Sequence, residues 1–443
     1  MTAISINSLL IKEIVEKYGT PTHLLNLTHL KDDYTKLVKS LQKCICNTNI
    51  FYSFKTNYLP LICQRMLSYG AGADVVSGYE MESALNLGFE GKNIIFNGPM
   101  KTYDELEKAV DNNIFVNIDG TIEIRQLQEI AERKGKIINV GLRINPNRNV
   151  YPSVDPTHNT LMEKMVSRSK FGWNVDSEDA YRVAALIKQS KNLRLSAIQC
   201  HVGSQITNTS AFFSAIDKAL SFVKDLRRDF PIETFNFGGG MGVDGIHRDR
   251  SGPLKSLLEL HQLRVVEEAP DIFDLEKFVE LINKALERKG LIDLNLACEP
   301  GRSIVSNSMF LITRVASIKK TSLGDWLILD AGLNLIPTAG IHEKHNMVSF
   351  TKTNSLLKNY MVAGPLCYEG DIFSYSTLLP EDLEEGDLLG ILDTGAYTIS
   401  RATNFIRPKA AVVAVEDNRY ELCWKRETFD NIFCFHQKTS FES

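Results

Sequence analysis

Long hydrophobic runs are missing from this chain of 443 residues. None approaches the roughly 18–20 consecutive apolar residues that a helical membrane span requires. A charge excess of either sign is missing too. Fifty Lys and Arg face 54 Asp and Glu, a net charge of −4, which argues against nucleic acid or an anionic membrane surface as partner. The eight cysteines show no metal-ligand spacing, and only Cys44 and Cys46 stand close together. That usage suits free thiols in a reducing cytoplasm, with neither a disulfide framework nor a metal. The phosphate-loop signatures GxGxxG and GK[ST] are both absent. So are internal repeats and low-complexity segments. The opening stretch MTAISINSLLIKEIVEKYGT carries acids and reads as an amphipathic helix rather than a signal peptide. A cytoplasmic globular protein is expected, and 44% hydrophobic residues supply ample core.

What is present is a rhythm. Apolar, strand-like runs fall at about 49–54, 72–76, 93–97, 114–118, 137–144, 195–200, 234–237 and 294–298. Stretches of helical period lie between them: Leu59 to Tyr69, Tyr79 to Leu87, Tyr103 to Asn112, Ile122 to Lys134, then about 176–190, 210–228 and 274–289. Alternation of this kind implies parallel pairing. Eight units in about 250 residues predict a (β/α)8 TIM-type barrel with its chemistry at the C-terminal strand ends. An open doubly wound sheet is the alternative that periodicity leaves standing. Two longer connections interrupt the pattern. Residues 147–168, with Pro152, Pro156 and His158, have no clear period; residues 243–271 include His247, Arg248, Asp249, Arg250 and a Gly252-Pro253 break. Connections this long serve as lids or binding loops, or are disordered. After Arg302, short strand-like runs at Met309–Ser317, Trp326–Leu329, Leu388–Leu392, Ala410–Val415 and Tyr420–Trp424 predict a β-sandwich or β-barrel domain. The expected organisation is an N-terminal segment (1–25) packing on the β domain, a barrel (26–305) and the β domain (306–443).

The predicted strand ends carry chemistry. They hold Lys55, Asp74, Asn97, Arg143, His201, the Gly238-Gly239-Gly240 run and Glu299. Lys55 closes the aromatic strand NIFYSFKTN. It either reaches solvent or sits where desolvation makes an amine nucleophilic. In Asn236-Phe237-Gly238-Gly239-Gly240-Met241-Gly242, four glycines in five positions let backbone N–H groups approach an anion, unless the run is only a turn. His201 is either a core histidine or a flat ring for a planar cofactor, and Ser204 is placed to donate to an anion. Glu299-Pro300-Gly301-Arg302 sets a carboxylate at the barrel mouth beside a guanidinium; a surface turn is the plain alternative. A lone cysteine after Gly-Pro, Cys367, is more often packing than catalysis.

Taken together and in order, YSFKTN, GADVVSGYE, SKFG (Ser169–Gly172), HVGSQ, NFGGGMG, EPGR, GPLCYEGD and GAY resemble the fold-type III pyridoxal-phosphate decarboxylases, the family of diaminopimelate and ornithine decarboxylases, from about Thr20 to Phe433. The resemblance implies pyridoxal 5'-phosphate as cofactor, held by Lys55 as a Schiff base. It implies a phosphate grip by Gly239, Gly240, Ser204, Arg302 and Tyr397, a ring stacked on His201, Asp74 beside the lysine and Glu299 at the pyridine nitrogen. Cys367 matches a cysteine contributed across a homodimer interface. A small amino-acid substrate is the implied partner. A glutamate rather than an arginine at the ring nitrogen separates decarboxylation from racemisation in this fold.

Substrate residues depart from the pattern. Pro337 stands where typical diaminopimelate decarboxylases carry an arginine for the distal carboxylate, and Ile341 and Lys344 replace tyrosines. Tyr368 follows Cys367, where those enzymes carry Glu and ornithine decarboxylases Asp; Glu369 comes one residue later. An unpaired distal cation is costly. The expectation is therefore neither diaminopimelate nor ornithine but a larger or differently charged amino acid or conjugate, as in siderophore or antibiotic biosynthesis. Arg143, Tyr368 and Glu369 are the candidate substrate-binding residues, with Arg401 and Lys344 available for extra carboxylates. Diaminopimelate decarboxylase proper, a racemase and a non-catalytic regulatory homologue are the alternatives.

Overall fold

Eight short parallel strands, most of them apolar on both faces, lie at Thr48–Ser53, Gly72–Val75, Ile94–Phe96, Phe115–Ile118, Ile138–Asn145, Leu193–Cys200, Thr234–Asn236 and Asn295–Cys298. Strands buried on both sides read as continuous rather than alternating hydrophobic runs, and all eight fall within a residue or two of their predicted positions. A computed structural model describes residues 7–152, 156–248, 272–339, 343–353 and 355–436. Each strand pairs in parallel with the next, and the last returns to the first through Leu296 opposite Thr48. The sheet is therefore closed, which removes the open doubly wound alternative.

The intervening helices start and stop where side-chain chemistry dictates. Thr102 and Glu105 form a reciprocal capping box at Tyr103–Asp111, and Ser77, Asn208 and Asp274 each accept an N–H from the first turn of the helix that follows. Caps of this kind contribute about 1 kcal/mol apiece. Gly135 and Gly290 end their helices in the left-handed conformation, which glycine adopts without a Cβ penalty. A further helix, Pro156–Ser167, occupies much of the 147–168 stretch, which reads in the sequence as a long connection without clear period. Its apolar residues Leu161 and Met165 are exposed at 58% and 59%, so no buried stripe betrays the helix in the sequence. The 249–271 part of the second long connection lies outside the described residues.

The chain divides into two compact units. Tyr34–Val243 and Asp271–Ser303 build the barrel unit. The described residues of Met1–Asp33, Asp244–Pro270 and Ile304–Ser443 build a β-rich unit. Its organising strand is one that periodicity did not reveal: Thr22–Asn26 runs antiparallel to Met309–Thr321 and parallel to Ala411–Glu416. Leu24 and Leu25 on that strand are fully buried, each worth about 2 kcal/mol in area removed from water. The helix Ser8–Tyr18 buries Leu10, Ile11, Ile14 and Val15 against Leu24, Ile312 and Val413. Thr321 and Gly324 pair to close a hairpin from Met309–Thr321 into Gly324–Leu329. Strands at Leu357–Ala363 and Ile372–Pro380 extend the sheet, and a short helix, Phe429–Phe433, follows the last strand. No helix among the described residues is long and apolar enough to cross a membrane.

Candidate active site

Lys55 sits on a single 3₁₀ turn, Phe54–Thr56, immediately beyond the first barrel strand. Its side chain is one-third exposed, while its Nζ lies 2.6 Å from Oδ2 of Asp74, a carboxylate with no exposed surface. Ser53 Oγ donates to the same oxygen at 2.7 Å. Burial pushes the Asp74 carboxyl up, but the Lys55 charge and the hydrogen bonds from Lys55, Ser53 and Asn97 outweigh it and hold the group below its ordinary value. A lysine amine and an ionised acid are thus held in contact at the barrel mouth.

Glu299 follows the eighth strand, its N–H donating to Gly238 O at 2.8 Å. Three side-chain amides surround its carboxylate. Asn236 Nδ2 lies 2.7 Å and Asn97 Nδ2 2.9 Å from Oε1, and Gln199 Nε2 reaches both oxygens at 3.1 and 3.2 Å. Burial, then the Asp74 charge, push the Glu299 carboxyl up to about 7, against Lys55 and Asn97. In the sequence Asn97 stands out only as a strand-end residue, and Asn236, Gln199 and Asn117 carry no marked chemistry. Their signal is a polar residue interrupting or ending an apolar strand, in IIFNG, FVNI, AIQC and TFN.

The glycine run needs to be glycine. A Cβ on Gly239 would stand 2.3 Å from Glu299 O, and one on Gly240 (φ +99°) 2.3 Å from Gly203 O. Backbone therefore packs directly on backbone along this run, and no side chain fits at either position. Gly239 N–H donates to His201 Nδ1 at 3.1 Å, so that nitrogen is an acceptor and any ring proton is on Nε2. Desolvation, aided by Lys55 and Arg143, pushes His201 down to about 3, and the imidazole is a neutral flat surface. Ser204 is held by Tyr151, whose hydroxyl receives its N–H at 2.8 Å and donates to its carbonyl at 2.9 Å. Arg302 is buried on the turn after Glu299.

Arg143 reaches Asp119 at 3.2 Å and lies over the Phe171 ring, 4.6 Å from its centre; Asp119 in turn accepts the N–H of Gly172. In the β-rich unit, Cys367, Tyr368 and Glu369 are all exposed, and Tyr368 packs edge-on against Phe405. The acid that orders this turn is Asp371, which accepts the N–H groups of Leu333 and Leu366 at 2.7 and 2.8 Å. Tyr397 belongs to the same unit and has a positive φ of 60°. Pro337 lies in a turn after the buried Leu335 and Ile336; Ile341 lies outside the described residues. Among those residues no cluster of three or more ligating side chains suits a metal.

Residues 31–306 match the family described as pyridoxal-dependent decarboxylase, pyridoxal binding domain. The chain belongs to the pyridoxal-dependent decarboxylases. It is 30% identical over 428 residues to a diaminopimelate decarboxylase of Methanocaldococcus jannaschii, covering 95% of this chain and 92% of that one. A diaminopimelate decarboxylase of Aquifex aeolicus is likewise 30% identical, over 96% of this chain and 94% of its own. Among solved structures, the diaminopimelate decarboxylase of M. jannaschii in complex with L-lysine superposes with a TM-score of 0.84 at 28% identity, over 97% of this chain and 94% of that one. The Helicobacter pylori enzyme complexed with L-lysine gives 0.81 at 28% identity, over 96% and 98%. The fold is thus the barrel of the decarboxylases with its strand-rich C-terminal region, the protein is a lyase, and its cofactor is pyridoxal 5'-phosphate. The residues present fit that group: an amine beside an ionised acid, a deep carboxylate, a neutral flat imidazole and a glycine cradle closed to side chains.

Proposed function

We propose that Lys55 is the residue that holds pyridoxal phosphate covalently and that the chain decarboxylates an α-amino acid other than diaminopimelate or ornithine. The observation that carries the site assignment is the 2.6 Å contact of Lys55 with Asp74 next to the amide-ringed Glu299. When bound, the cofactor supplies an electron sink for the charge left on the α-carbon by loss of carbon dioxide. Glu299 would hold the ring nitrogen and favour its proton by a charge-assisted hydrogen bond. His201 would offer its neutral face to the ring. Gly239, Gly240, Ser204 and Arg302, with Tyr397 by the resemblance of its GAY stretch, would bind the phosphate and fix the ring's orientation. Asp74 orients Lys55, and Lys55 or Cys367 returns a proton to the α-carbon. By the resemblance of its GPLCYEGD stretch, Cys367 comes from the second copy of a homodimer.

The substrate reading rests on Pro337 and Tyr368, which leave a distal carboxylate and a distal ammonium without their usual partners; Arg143, Tyr368 and Glu369 are the residues proposed to meet the substrate. A second reading, diaminopimelate itself, is favoured by the names of the relatives at 30% identity. None of the relatives named above is described as acting in siderophore or antibiotic biosynthesis, so that pathway expectation finds no support in them. Carbon dioxide release by the purified protein from a panel of amino acids, with and without added cofactor, tests the reading. Cofactor-dependent release from one of them is expected, with loss of the bound cofactor's absorbance in Lys55→Ala. No binding, or an unchanged spectrum in Lys55→Ala, would overturn the site assignment. Efficient turnover of meso-diaminopimelate would overturn the substrate assignment and leave the site intact.

A further inference from the structure

The Asn97 amide touches both acids of the site at once. Its Nδ2 lies 2.6 Å from Asp74 Oδ1 and 2.9 Å from Glu299 Oε1, and an amide nitrogen has two N–H groups and no lone pair to offer. Its orientation is set from behind: Asn97 Oδ1 accepts Asn117 Nδ2 at 2.8 Å, and the opposite rotamer would point a carbonyl oxygen at two carboxylates. Space for Asn117 comes from Gly141 on the neighbouring strand, where a Cβ would lie 1.9 Å from Asn117 Oδ1. One layer further out, Lys101 donates to the carbonyls of Gly98 and Asn117, both at 2.9 Å, and pairs with Glu123 at 3.2 Å, both side chains being buried. The bridge is therefore built, braced and dry.

We propose that Asn97 is a positioning residue: by sharing its two N–H groups between Asp74 and Glu299, it keeps two neighbouring carboxylates ionised together and holds Glu299 aimed at the cofactor's ring nitrogen. The inference rests on the assignment of Glu299 to that nitrogen. Two like charges in a dry site favour protonation of one of them. The groups facing the Glu299 carboxylate are Asp74, Lys55 and Arg143, with the thiols of Cys200 and Cys298. Asn97 supplies a donor to each acid without adding a proton that could be exchanged. Without it Glu299 takes up a proton, ceases to be an acceptor for the ring N–H, and the electron sink becomes shallower.

The test uses the holoenzyme reconstituted with pyridoxal phosphate isotopically labelled at the ring nitrogen, whose NMR shift reports its protonation directly. Wild type should give a protonated ring; an unprotonated one overturns the Glu299 assignment itself, whatever Asn97 does. In Asn97→Ala, and in the near-isosteric Asn97→Leu should the alanine variant fail to fold, the shift should move toward the unprotonated value near neutral pH. The turnover number should fall about 10- to 100-fold, while KM changes by less than about threefold. A variant that binds cofactor, keeps the wild-type nitrogen shift and loses only thermal stability would overturn the proposal, since a purely structural amide would behave in that way.

Discussion

Glu299 in the barrel unit and Asp393 in the β-rich unit are both buried and pushed up to about 7, and they reach that value by different routes. Glu299 in the barrel unit is raised by burial and by Asp74, yet both of its oxygens are occupied by amide donors. Asp393 in the β-rich unit is raised by burial and by Asp244, with His29 pulling the other way, and its Oδ2 has no partner among the described residues. Equal proton affinity therefore does not mean equal construction. A carboxylate ringed by donors is expensive to dehydrate but ready to work as an anion. A carboxylate with an empty oxygen simply burdens the fold once it ionises. The barrel invests neighbouring side chains in its charges; the β-rich unit leaves one charge without such support.

The largest expected break of this contrast is Lys101→Met. Removing the ammonium strands Glu123 in a dry site and should destabilise the barrel by about 3–5 kcal/mol, read as a lowered midpoint in denaturant; adding Glu123→Gln should recover much of it. Glu299→Gln comes next. It keeps the shape but removes the acceptor charge, and the turnover number should fall about 100-fold with the cofactor still bound.

Asp393→Asn should do the reverse and stabilise. Its folded value of about 7 lies above the ordinary 3.8, so the folded state holds the proton more tightly than the unfolded chain. That contribution is present below about pH 4 and is lost as pH rises to 7. The asparagine, which tolerates the positive φ of 58° at this position, should therefore gain up to about 4 kcal/mol at pH 8 and little near pH 4. A gain independent of pH would break the assignment. Glu80, also pushed up to about 7 by burial but accepting the Val76 N–H at 2.9 Å, should show the smallest effect. Glu80→Gln should gain at most about 3 kcal/mol at pH 8, in melts run beside the Asp393 variant. Equal gains at the two positions would erase the distinction between supported and unsupported carboxyls.

The repeating strand–helix pattern was legible because both faces of each barrel strand are buried and each helix buries one stripe, so hydrophobicity alone marks them. Pro156–Ser167 was not, because its apolar residues face outward. Thr22–Asn26 was not, because five residues carry too little period to separate a strand from the end of the preceding helix. Lys55, Asp74, His201 and Glu299 were visible as reactive residue types at strand ends. Asn117 and Gln199 were invisible as site residues, because an amide in a strand has no chemistry of its own until it is known which carboxylate it meets.

By itself, then, the amino-acid sequence determined the alternation of strands and helices, the order of its reactive groups and the resemblance to the decarboxylases, since all of these depend on residue type and spacing along the chain. Only the tertiary structure decided how the charges are held. The donors to Glu299 come from positions 97, 199 and 236, and barrel closure alone brings those strand ends within hydrogen-bonding reach. Hydrogen bonds act over about 3 Å, a scale on which neighbours in space, and not neighbours in sequence, set the protonation of a buried acid.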